Sequence, residues 1–464
     1  MATSKGAPGS AEAGLMLDRL LLLEKFISPA EIQQVLLDSG CIDSRSCTLS
    51  FRVTLWIVLA MGVLTDLPLR AVFKASVCLH RLVKTPVRSA LCMARQRLGV
   101  APVRRLFRRV VRLLARPGTP GAFHKGLRLM AIDGTVLTVP DSPANARVFG
   151  RASGGVRGEA AFPQVRKTSL VEVGTHAEIA FHVKGINAKG GEQAPVPSLL
   201  RHVGPGMLLM LDAGFYGYRL WRGAAGTGCD LLARLSSRLK LPVLKGLPDG
   251  SYLSKVYPSS RAREKGRDGV EVRVVRYTHD DPARVGCGKE HRLLTTLLDA
   301  GEHPARELIG VYHERWEIEL AFDEQKTHLA PRVPGKEAQL RSETPAGVVQ
   351  ELHALSLGHW LTRAFMAEAA DKAGLDPDRL SFVGCLRVLR NRMPEYASVK
   401  GKDRKRWWEA LLGELAQERT EKRRDRVNPR VVKVKMSKFK KKRAEHRGIP
   451  PLSRAFQDTI VMLR

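Results

Sequence analysis

Apolar residues in the first quarter of the chain recur at helical spacing, in short segments separated by turn residues. Ser28-Pro29-Ala30-Glu31 gives one segment a clear start, with Ser28 as N-cap and proline in the first turn. After a disordered start at residues 1–14, we predict an all-α N-terminal domain over residues 15–118. Its predicted helices cover about residues 15–37, 50–64, a segment after Pro68, 85–99 and 102–115.

The helix predicted over residues 102–115 divides into an apolar face and a face of arginines. Arginines without a neighbouring acid repel one another unless phosphates or carboxylates lie opposite, and we favour phosphate over a solvated face. The preceding helix is compatible with a helix-turn-helix module that places its last helix on DNA. Packing in a small helical bundle explains that pattern equally well, so both interpretations stay open. The predicted DNA-contacting residues are Arg95, Arg97, Arg104, Arg105, Arg108 and Arg109.

After a linker at residues 117–121 the apolar period changes from 3.6 to 2. The order strand, hairpin, helix, strand, helix, strand predicts a mixed α/β sheet with helices on its faces. Two strands are followed at once by an aspartate and a turn, at Asp133-Gly134 and Asp212-Ala213. The predicted strands are Leu127–Ile132, Thr168–Val173, Glu178–Val183, Met207–Leu211 and Asp230–Leu235, with helices at about 191–201 and 217–227.

Short strands and turns fill residues 237–298, which we interpret as a β-rich insertion in this α/β core. Residues 304–329 then have helical periodicity, and further helices are predicted at about 347–371 and 378–392. The predicted core is therefore formed by residues 122–236 and 299–346. A helical C-terminal region over residues 347–418 and a basic tail over residues 419–464 follow.

The charge balance changes this picture most. The 464 residues include 77 Lys or Arg and 46 Asp or Glu, a net charge of +31 with a pI near 10.3. Residues 67–132 hold fifteen basic residues and no acid, and residues 419–447 hold fourteen basic residues against three acids. An excess of this size indicates a polyanionic partner, for which nucleic acid is the usual candidate.

Seven cysteines, an odd number without a CxxC pair, argue against a disulfide framework or a zinc module and favour reduced thiols in an intracellular protein. The N-terminal residues lack the apolar region of a signal peptide. The longest apolar run, Val53 to Thr65, is too short to span a bilayer. We expect a cytoplasmic protein without membrane contact.

Four residues of the helix predicted over 304–329 share one face. At about 100° per residue, they fall within roughly 60° of one another. A carboxylate flanked by two cations and a phenol can hold a metal ion and a phosphate together, although i,i+4 ion pairing on an exposed helix explains the same pattern. These residues are Tyr312, Arg315, Glu319 and Lys326.

Phosphoryl transfer with two metal ions needs two or three carboxylates that hold two hard cations roughly 3.5–4 Å apart. Mg²⁺ prefers oxygen ligands, and a strand-borne aspartate between apolar neighbours is costly to bury unless it binds a cation. Taken singly, an Asp-Gly pair at a strand end is more often only a turn. Together, in a strongly basic chain, Asp133, Asp212 and Glu319 favour a metal site.

At these residues the chain resembles the IS4 family of DDE transposases. Asp133-Gly134-Thr135, followed by Val139 to Asn145, is similar to the family's first-aspartate block, and Leu209–Phe215 (LMLDAGF) resembles the second. The segments Ser89–Gly99 and Leu375–Phe382 are also similar to family members. The family signature Tyr-x2-Arg-x3-Glu-x6-Lys is matched in full by Tyr312, Arg315, Glu319 and Lys326.

The resemblance implies an RNase H-like catalytic core with a β insertion, a DNA-binding helical N-terminal domain and a helical C-terminal region. It implies cut-and-paste transposition of an insertion sequence in a bacterium, on double-stranded DNA at terminal inverted repeats and at a target. Asp133, Asp212 and Glu319 would be catalytic ligands of two Mg²⁺ ions, with Mn²⁺ as a substitute. Tyr312, Arg315 and Lys326 would grip phosphates at the transposon end. A homodimer on paired ends and a nucleoid-associated location are expected.

Two departures from the family pattern concern DNA contacts. The family commonly has arginine after the second aspartate, where this chain has Ala213, so one phosphate contact is in doubt. Some relatives stack a flipped base on a tryptophan of the insertion, but no tryptophan lies between Trp221 and Trp316. A tyrosine of the insertion would have to serve if cleavage proceeds through a DNA hairpin. The available tyrosines are Tyr252, Tyr257 and Tyr277.

Two alternatives to a transposase remain open at this point. One is a metal-dependent nuclease with the same RNase H-like site and no strand transfer. The other is a DNA-binding repressor of the element that has lost catalysis, although the intact acids and Lys326 argue against it.

Overall fold

The computed structural model describes most of the chain, side chains included. None of the helices in the described ranges combines the length and the apolar composition that a membrane crossing needs. The start predicted to be disordered, residues 1–14, and most of the predicted basic tail, residues 421–453, lie outside the described residues. The described residues are 17–78, 84–153, 158–236, 239, 241–282, 287–330, 339–420 and 454–463.

The N-terminal region is all-α, as predicted. The predicted helix over residues 15–37 is divided at Ser28, whose hydroxyl accepts a hydrogen bond from the Glu31 amide at 3.2 Å while the Glu31 carboxylate accepts from the Ser28 amide at 2.8 Å. This capping box starts a new helix, and a 3₁₀ helix at Asp18–Lys25 precedes it. The helices are α1 (Pro29–Asp38), α2 (Phe51–Val63), α3 (Leu69–Ser76), α4 (Arg88–Leu98) and α5 (Ala101–Val110).

Helix α5 ends at Val110, so the prediction that it continues to residue 115 is wrong. The amides of Leu114 and Ala115 instead donate hydrogen bonds to the fully buried carboxylate of Glu172, each at 2.9 Å. A buried carboxylate without donors is costly, so this tertiary contact overrides the local helical period.

One mixed sheet runs through the centre of the molecule. Its strands are β1 (Phe123–His124), β2 (Leu127–Thr138), β3 (Gln164–Glu172), β4 (Ala177–Gly185), β5 (Met207–Leu211), β6 (Asp230–Arg234), β7 (Lys245–Gly246), β8 (Tyr252–Val256), β9 (Val270–His279), β10 (His291–Thr295) and β11 (Ile460–Met462). The order across the sheet is β4-β3-β2-β5-β6-β10-β9-β8-β7, with β1 added to β2 and β11 to β9. The pairs β2–β5 and β5–β6 are parallel, and every other pair is antiparallel.

Strand β2 does not end at Ile132 as predicted but continues to Thr138. Its antiparallel pairing with β3 extends as far as Thr138 opposite Gln164, whereas its parallel pairing with β5 ends at Ile132 opposite Leu211. Asp133 therefore lies inside β2, at the level where the neighbouring strand stops. The Asp-Gly pair, typical of a turn, forms part of a strand because β3 continues to bind the backbone beside it.

Helices cover both faces of this sheet. The short helices α7 (Val196–Leu199) and α8 (Tyr218–Ala225) pack on one face, and α10 (Ala305–His313) and α11 (Glu317–Asp323) pack on the other. The predicted helix over 191–201 is shorter than expected and continues as a 3₁₀ helix at Leu200–His202. Two further short helices are α6 (Pro143–Phe149) and α9 (Ser260–Glu264).

The residues predicted as a β-rich insertion extend the same sheet. Strand β10 pairs antiparallel with β6, the last parallel strand, and β9, β8 and β7 follow outward. The last described residues also join this region, because Ile460 pairs with His279 and Met462 with Tyr277. Residues 454–463 were predicted as part of a basic tail, but they contribute strand β11 to the sheet.

The C-terminal helices share a hydrophobic core with the N-terminal helices. They are α12 (Pro345–Ala373), α13 (Phe382–Arg392) and α14 (Arg404–Gln417). Helix α14 lies within the region predicted to be helical, although no bounds were predicted for it. Helices α2 and α12 approach so closely that a Cβ on Gly358 would lie 2.1 Å from the carbonyl oxygen of Gly62. The two predicted helical regions thus pack as one layer against the α/β core.

Candidate active site

Asp133 and Asp212 lie side by side on neighbouring parallel strands. The last paired residues of β2 and β5 are Ile132 and Leu211, and each aspartate follows directly. Neighbouring strands are about 4.8 Å apart, so the two carboxylates share one edge. Each carboxylate also accepts a hydrogen bond from the next amide in the chain, Gly134 or Ala213, at 2.7 Å.

Arg315 connects the predicted signature helix to the sheet edge at Asp133 and Asp212. Its side chain is buried, with 5% exposed, and its Nη1 atom donates to Oδ2 of Asp133 at 2.9 Å. Its Nη2 atom lies 3.8 Å from Oε1 of Glu319 one turn further along. Burial lowers the pKa of Arg315, but Tyr312, Asp212 and Asp133 outweigh that effect and raise it above its ordinary value. The guanidinium is therefore a permanent cation among the carboxylates.

Tyr312 and Trp316 enclose this guanidinium. Its central carbon lies 5.8 Å from the ring centroid of Tyr312 and 5.6 Å from that of Trp316, within the range of cation–π attraction. The Tyr312 hydroxyl donates to the carbonyl oxygen of Leu211 at 3.3 Å, directly before Asp212. Burial raises the pKa of Tyr312 well above its ordinary value, so the phenol stays protonated.

Glu319 and Lys326 are the other two residues of the helical face predicted from the sequence. This face, formed by Tyr312, Arg315, Glu319 and Lys326, is called the stripe below. The Glu319 side chain is 41% exposed, more than the 18% of Asp133, and faces the solvent side of the site. The Lys326 Nζ atom lies 3.3 Å from the hydroxyl of Thr135, two residues beyond Asp133 on the same face of β2. Tyr312, Arg315 and Lys326 thus contact the strands that carry the two aspartates, and Glu319 lies beside Arg315.

The helix that carries the stripe is not regular, although one continuous helix was predicted over 304–329. A 3₁₀ turn at Glu314–Trp316 separates α10 from α11, and a π-helical segment at Glu324–Leu329 follows α11. Arg315 lies in the 3₁₀ turn and Lys326 in the π segment. Departures of this kind from the α-helix often occur at functional sites.

The donor set fits hard divalent cations. The three acids carry three negative charges against the two cations Arg315 and Lys326, but their ligand oxygens do not all lie within 4.8 Å of one another in this structure. Carboxylate oxygens are the ligands that Mg²⁺ and Mn²⁺ prefer. The candidate donors are Asp133, Asp212 and Glu319.

A second acidic cluster contains His176 and lies on another side of α11. Nε2 of His176 is 2.8 Å from the Glu317 carboxylate and 3.3 Å from that of Asp378, and its Nδ1 is 3.2 Å from Glu324. Burial and Arg363 lower the pKa of His176, but Glu324 and Asp378 outweigh them and raise it to about 10. The ring thus contacts carboxylates on both sides, and its Nδ1 atom also contacts the guanidinium of Arg363. We therefore interpret this cluster as an ion-pair network and not as a metal site.

Two family models match the chain. The one described as "Insertion element 4 transposase N-terminal" matches residues 17–108, and the one described as "Transposase DDE domain" matches residues 124–361. The chain is 30% identical to the transposase InsG for insertion sequence element IS4 of Escherichia coli K12, over 90% of its own length and 93% of that protein. The chain belongs to the IS4 family of DDE transposases. It is a DNA transposase, and the family implies the use of a divalent metal.

Two further likenesses are weaker. The chain is 29% identical to the putative transposase InsZ of Escherichia coli K12 over 143 residues, which are 31% of this chain and 47% of that protein. A piggyBac transposase synaptic complex with hairpin DNA is similar over 86% of both chains, at 10% identity and a TM-score of 0.41, which is too low to argue from.

The transposase has an arginine near Asp212 that the sequence reasoning missed. The pairing of β5 and β6 ends with Leu211 opposite Ala233, so Arg234 follows on the far side of Asp212. Its charge acts on Tyr312, and its side chain is exposed. The family places an arginine directly after the second aspartate, where this chain has Ala213. Arg234 offers a cation beside Asp212 instead, and the pairing of β5 with β6 would have been enough to find it.

The predicted DNA-contacting arginines of the transposase fall into two groups. Arg95 is partly buried and donates to the hydroxyl of Ser342 at 3.1 Å, and Arg97 lies over the ring of Phe51 at 4.6 Å and binds the loop before α2. Both make intramolecular contacts, and their role on DNA stays a prediction. The exposed face of α5 consists of Arg104, Arg105, Arg108 and Arg109.

Of the three insertion tyrosines, two are buried. Tyr277 is 5% exposed and Tyr252 is 8% exposed, and burial raises the pKa of Tyr277 to about 12. Tyr257 is half-buried, beside Gly269. If a tyrosine of this transposase stacks on a flipped base, Tyr257 is the most accessible of the three.

Proposed function

We propose that this transposase moves an insertion sequence by cut-and-paste, through Mg²⁺-dependent cleavage and strand transfer at terminal inverted repeats. The observation that carries the proposal is the adjacency of Asp133 and Asp212 at the strand ends, with Arg315 between Asp133 and Glu319. This arrangement gathers oxygen donors and phosphate-binding cations at one edge of a rigid sheet. Phosphoryl transfer requires both.

Asp133, Asp212 and Glu319 would hold two Mg²⁺ ions, with Mn²⁺ as a substitute. When bound, such ions lower the pKa of a bound water and stabilise charge on the reacting phosphate oxygens. Glu319 is more exposed than Asp133, which suits a ligand that meets the incoming DNA.

Arg315 and Lys326 would neutralise phosphate oxygens at the transposon end. Arg315 is held rigidly by Asp133 and two aromatic rings, so it needs little reorganisation to bind a phosphate. Tyr312 was expected to contact phosphate as well. Its hydrogen bond to Leu211 supports a different contribution, which is to fix the end of β5 and thereby Asp212.

Double-stranded DNA would also contact the exposed arginines of α5, without sequence preference, while the N-terminal helices recognise the inverted repeat. Two transposon ends must be cut together, so we propose a homodimer bound to paired ends. The site edge and the arginine face would then hold the same DNA molecule.

The test is an assay of purified protein with Mg²⁺, DNA carrying the cognate ends and a target plasmid. We expect end cleavage and joining to the target, and a loss of at least about a hundredfold in Asp133→Ala. Asp323→Ala, on the exposed side of α11, is the matched control and should retain activity. Cleavage without joining would favour a nuclease. Tight end binding without metal-dependent turnover would favour a repressor.

A further inference from the structure

Two buried polar residues directly precede Lys326. Glu324 is 4% exposed and Gln325 is 3% exposed, and both belong to the π-helical segment that carries the lysine. Their side chains point away from solvent while Lys326 reaches Thr135 at the site. The two side chains enter neighbouring buried clusters that His359 links, because its Nδ1 atom lies 3.5 Å from the Gln325 amide nitrogen and its Nε2 atom 2.9 Å from the Glu324 carboxylate.

Gln325 is bound by a buried lysine from the sheet. The Lys167 Nζ atom lies 2.7 Å from Oε1 of Gln325, 2.7 Å from the Ser356 hydroxyl and 2.8 Å from the Glu178 carboxylate. The Gln325 amide also donates to Glu178 at 3.3 Å. The three donor positions of the ammonium group are therefore all used, one of them by Gln325.

Glu324 is bound by three groups from two other elements. Nε of Arg363 and Nε2 of His359, both on α12, lie 2.9 Å from its carboxylate. Nδ1 of His176, in the turn between β3 and β4, lies 3.2 Å from it. His176 has a positive φ of 57°, which is uncommon for a residue with a side chain, and its ion pairs hold it there.

These contacts allow one rotation of the helix. A turn about its axis would remove Gln325 from Lys167 and the Glu324 carboxylate from the buried charge of Arg363, and losing a partner of a buried charge is costly. The π segment is the winding that puts two consecutive residues into the buried clusters and the third at the site. The buried contacts of Glu324 and Gln325 thus determine where Lys326 lies.

We propose that Gln325 and Glu324 are positioning residues for the reaction, because their buried polar contacts fix Lys326 beside Thr135, two residues after Asp133 on the same strand. The inference rests on the proposed function, which assigns Lys326 to a phosphate at the transposon end. Neither residue touches DNA. Each acts through the lysine.

A double-mutant cycle tests this dependence. Gln325→Met keeps the length of the side chain and removes its hydrogen bonds, and the rate of end cleavage is measured in a single turnover at saturating DNA and Mg²⁺. We expect about a tenfold loss in Gln325→Met, a larger loss in Lys326→Met, and a double variant within about twofold of Lys326→Met alone. DNA affinity without metal should change little in Gln325→Met.

Gln350→Met is the matched control. Gln350 is equally buried at 2% exposed, and its amide donates to the Arg95 carbonyl of the N-terminal helical region at 2.8 Å. It should reduce stability and leave the cleavage rate unchanged. If Gln325→Met fails to fold, Ser356→Ala removes one partner of Lys167 and enters the same cycle.

Three results would overturn the inference. If Gln325→Met lowers the cleavage rate by the same factor in the wild type and in Lys326→Met, Gln325 acts independently of the lysine. If Gln325→Met folds and cleaves at the wild-type rate, it has no positioning effect. If Lys326→Met itself cleaves normally, the proposed function of Lys326 is wrong and the inference with it, which separates the two failures.

Discussion

The guanidinium of Arg315 donates a hydrogen bond to the carboxylate of Asp133, with 2.9 Å between Nη1 and Oδ2. The contact joins the helix of the family signature to the central strand of the sheet. A lysine keeps the charge but lacks the planar fork that also approaches Glu319. We expect Arg315→Lys to lower end cleavage by about ten- to a hundredfold with little change in DNA affinity.

Arg219→Lys, an exposed position on α8, is the control for that variant. Both proteins are compared in single-turnover cleavage and in metal-free DNA binding. An Arg315→Lys protein that cleaves like the control would show that the fork geometry is not needed.

Arg234 offers a second cation beside Asp212. Because it follows Ala233 on β6, we expect it to supply the phosphate contact that Ala213 cannot make. Arg234→Gln should lower cleavage by about tenfold, whereas Arg276→Gln, on strand β9 of the insertion, should not. The measurement is the cleavage rate at saturating DNA, and equal rates in the two variants would refute this role.

The stability of the fold should fall in mild acid because of His353. Its ring packs between Phe107 and Phe181, and burial lowers its pKa to about 4 from 6.5. Below pH 6.5 the unfolded chain therefore binds more protons at His353 than the folded chain does. The stability that the neutral ring contributes is complete above pH 6.5 and is lost as the pH falls towards 4. We expect a loss of about 2 kcal/mol between pH 7.5 and 5 from this residue.

Urea denaturation of the wild-type protein and of His353→Phe at both pH values measures that contribution. The variant should lose less stability on acidification than the wild type does. Identical pH dependence in the two proteins would contradict the buried neutral state of His353.

Sequence reasoning succeeded where burial and local pattern coincide. Strand β5 was predicted with its observed bounds because its apolar run is buried on both faces and ends at a charged residue. Helix α5 was predicted to be too long because the apolar residues after Val110 continue the helical spacing. The spacing cannot reveal that Glu172, far along the chain, binds the backbone amide of Leu114. Helix α14 lies in the region predicted to be helical but was not given bounds of its own, although Leu411, Leu412 and Leu415 follow helical spacing within it.

The site shows the same limit. The stripe of the signature helix was visible at helical spacing, and the two aspartates at strand ends were visible from the period of 2. Arg234 and the buried partners of Gln325 were not, because their relation to the site depends on strand order and on contacts between distant segments.

The contact between α2 and α12 should tolerate no side chain. A Cβ on Gly358 would meet the Gly62 carbonyl oxygen at 2.1 Å, and that backbone cannot move without separating the helices. We expect Gly358→Ala to destabilise the protein by about 2–3 kcal/mol. Gly413→Ala, at an exposed position of α14 with open space around it, should be neutral or slightly stabilising. Thermal unfolding of both variants tests this, and equal midpoints would contradict the close packing.

Metal occupancy at the three acids tests the central claim most directly. Mn²⁺ bound to the transposase on end DNA is counted by electron paramagnetic resonance in the wild type, in Glu319→Gln and in the matched variant Asp323→Asn. We predict two bound ions in the wild type and in Asp323→Asn, and a loss of at least one ion with loss of cleavage in Glu319→Gln. Unchanged occupancy and cleavage in Glu319→Gln would contradict the assignment of Asp133, Asp212 and Glu319 as the metal site.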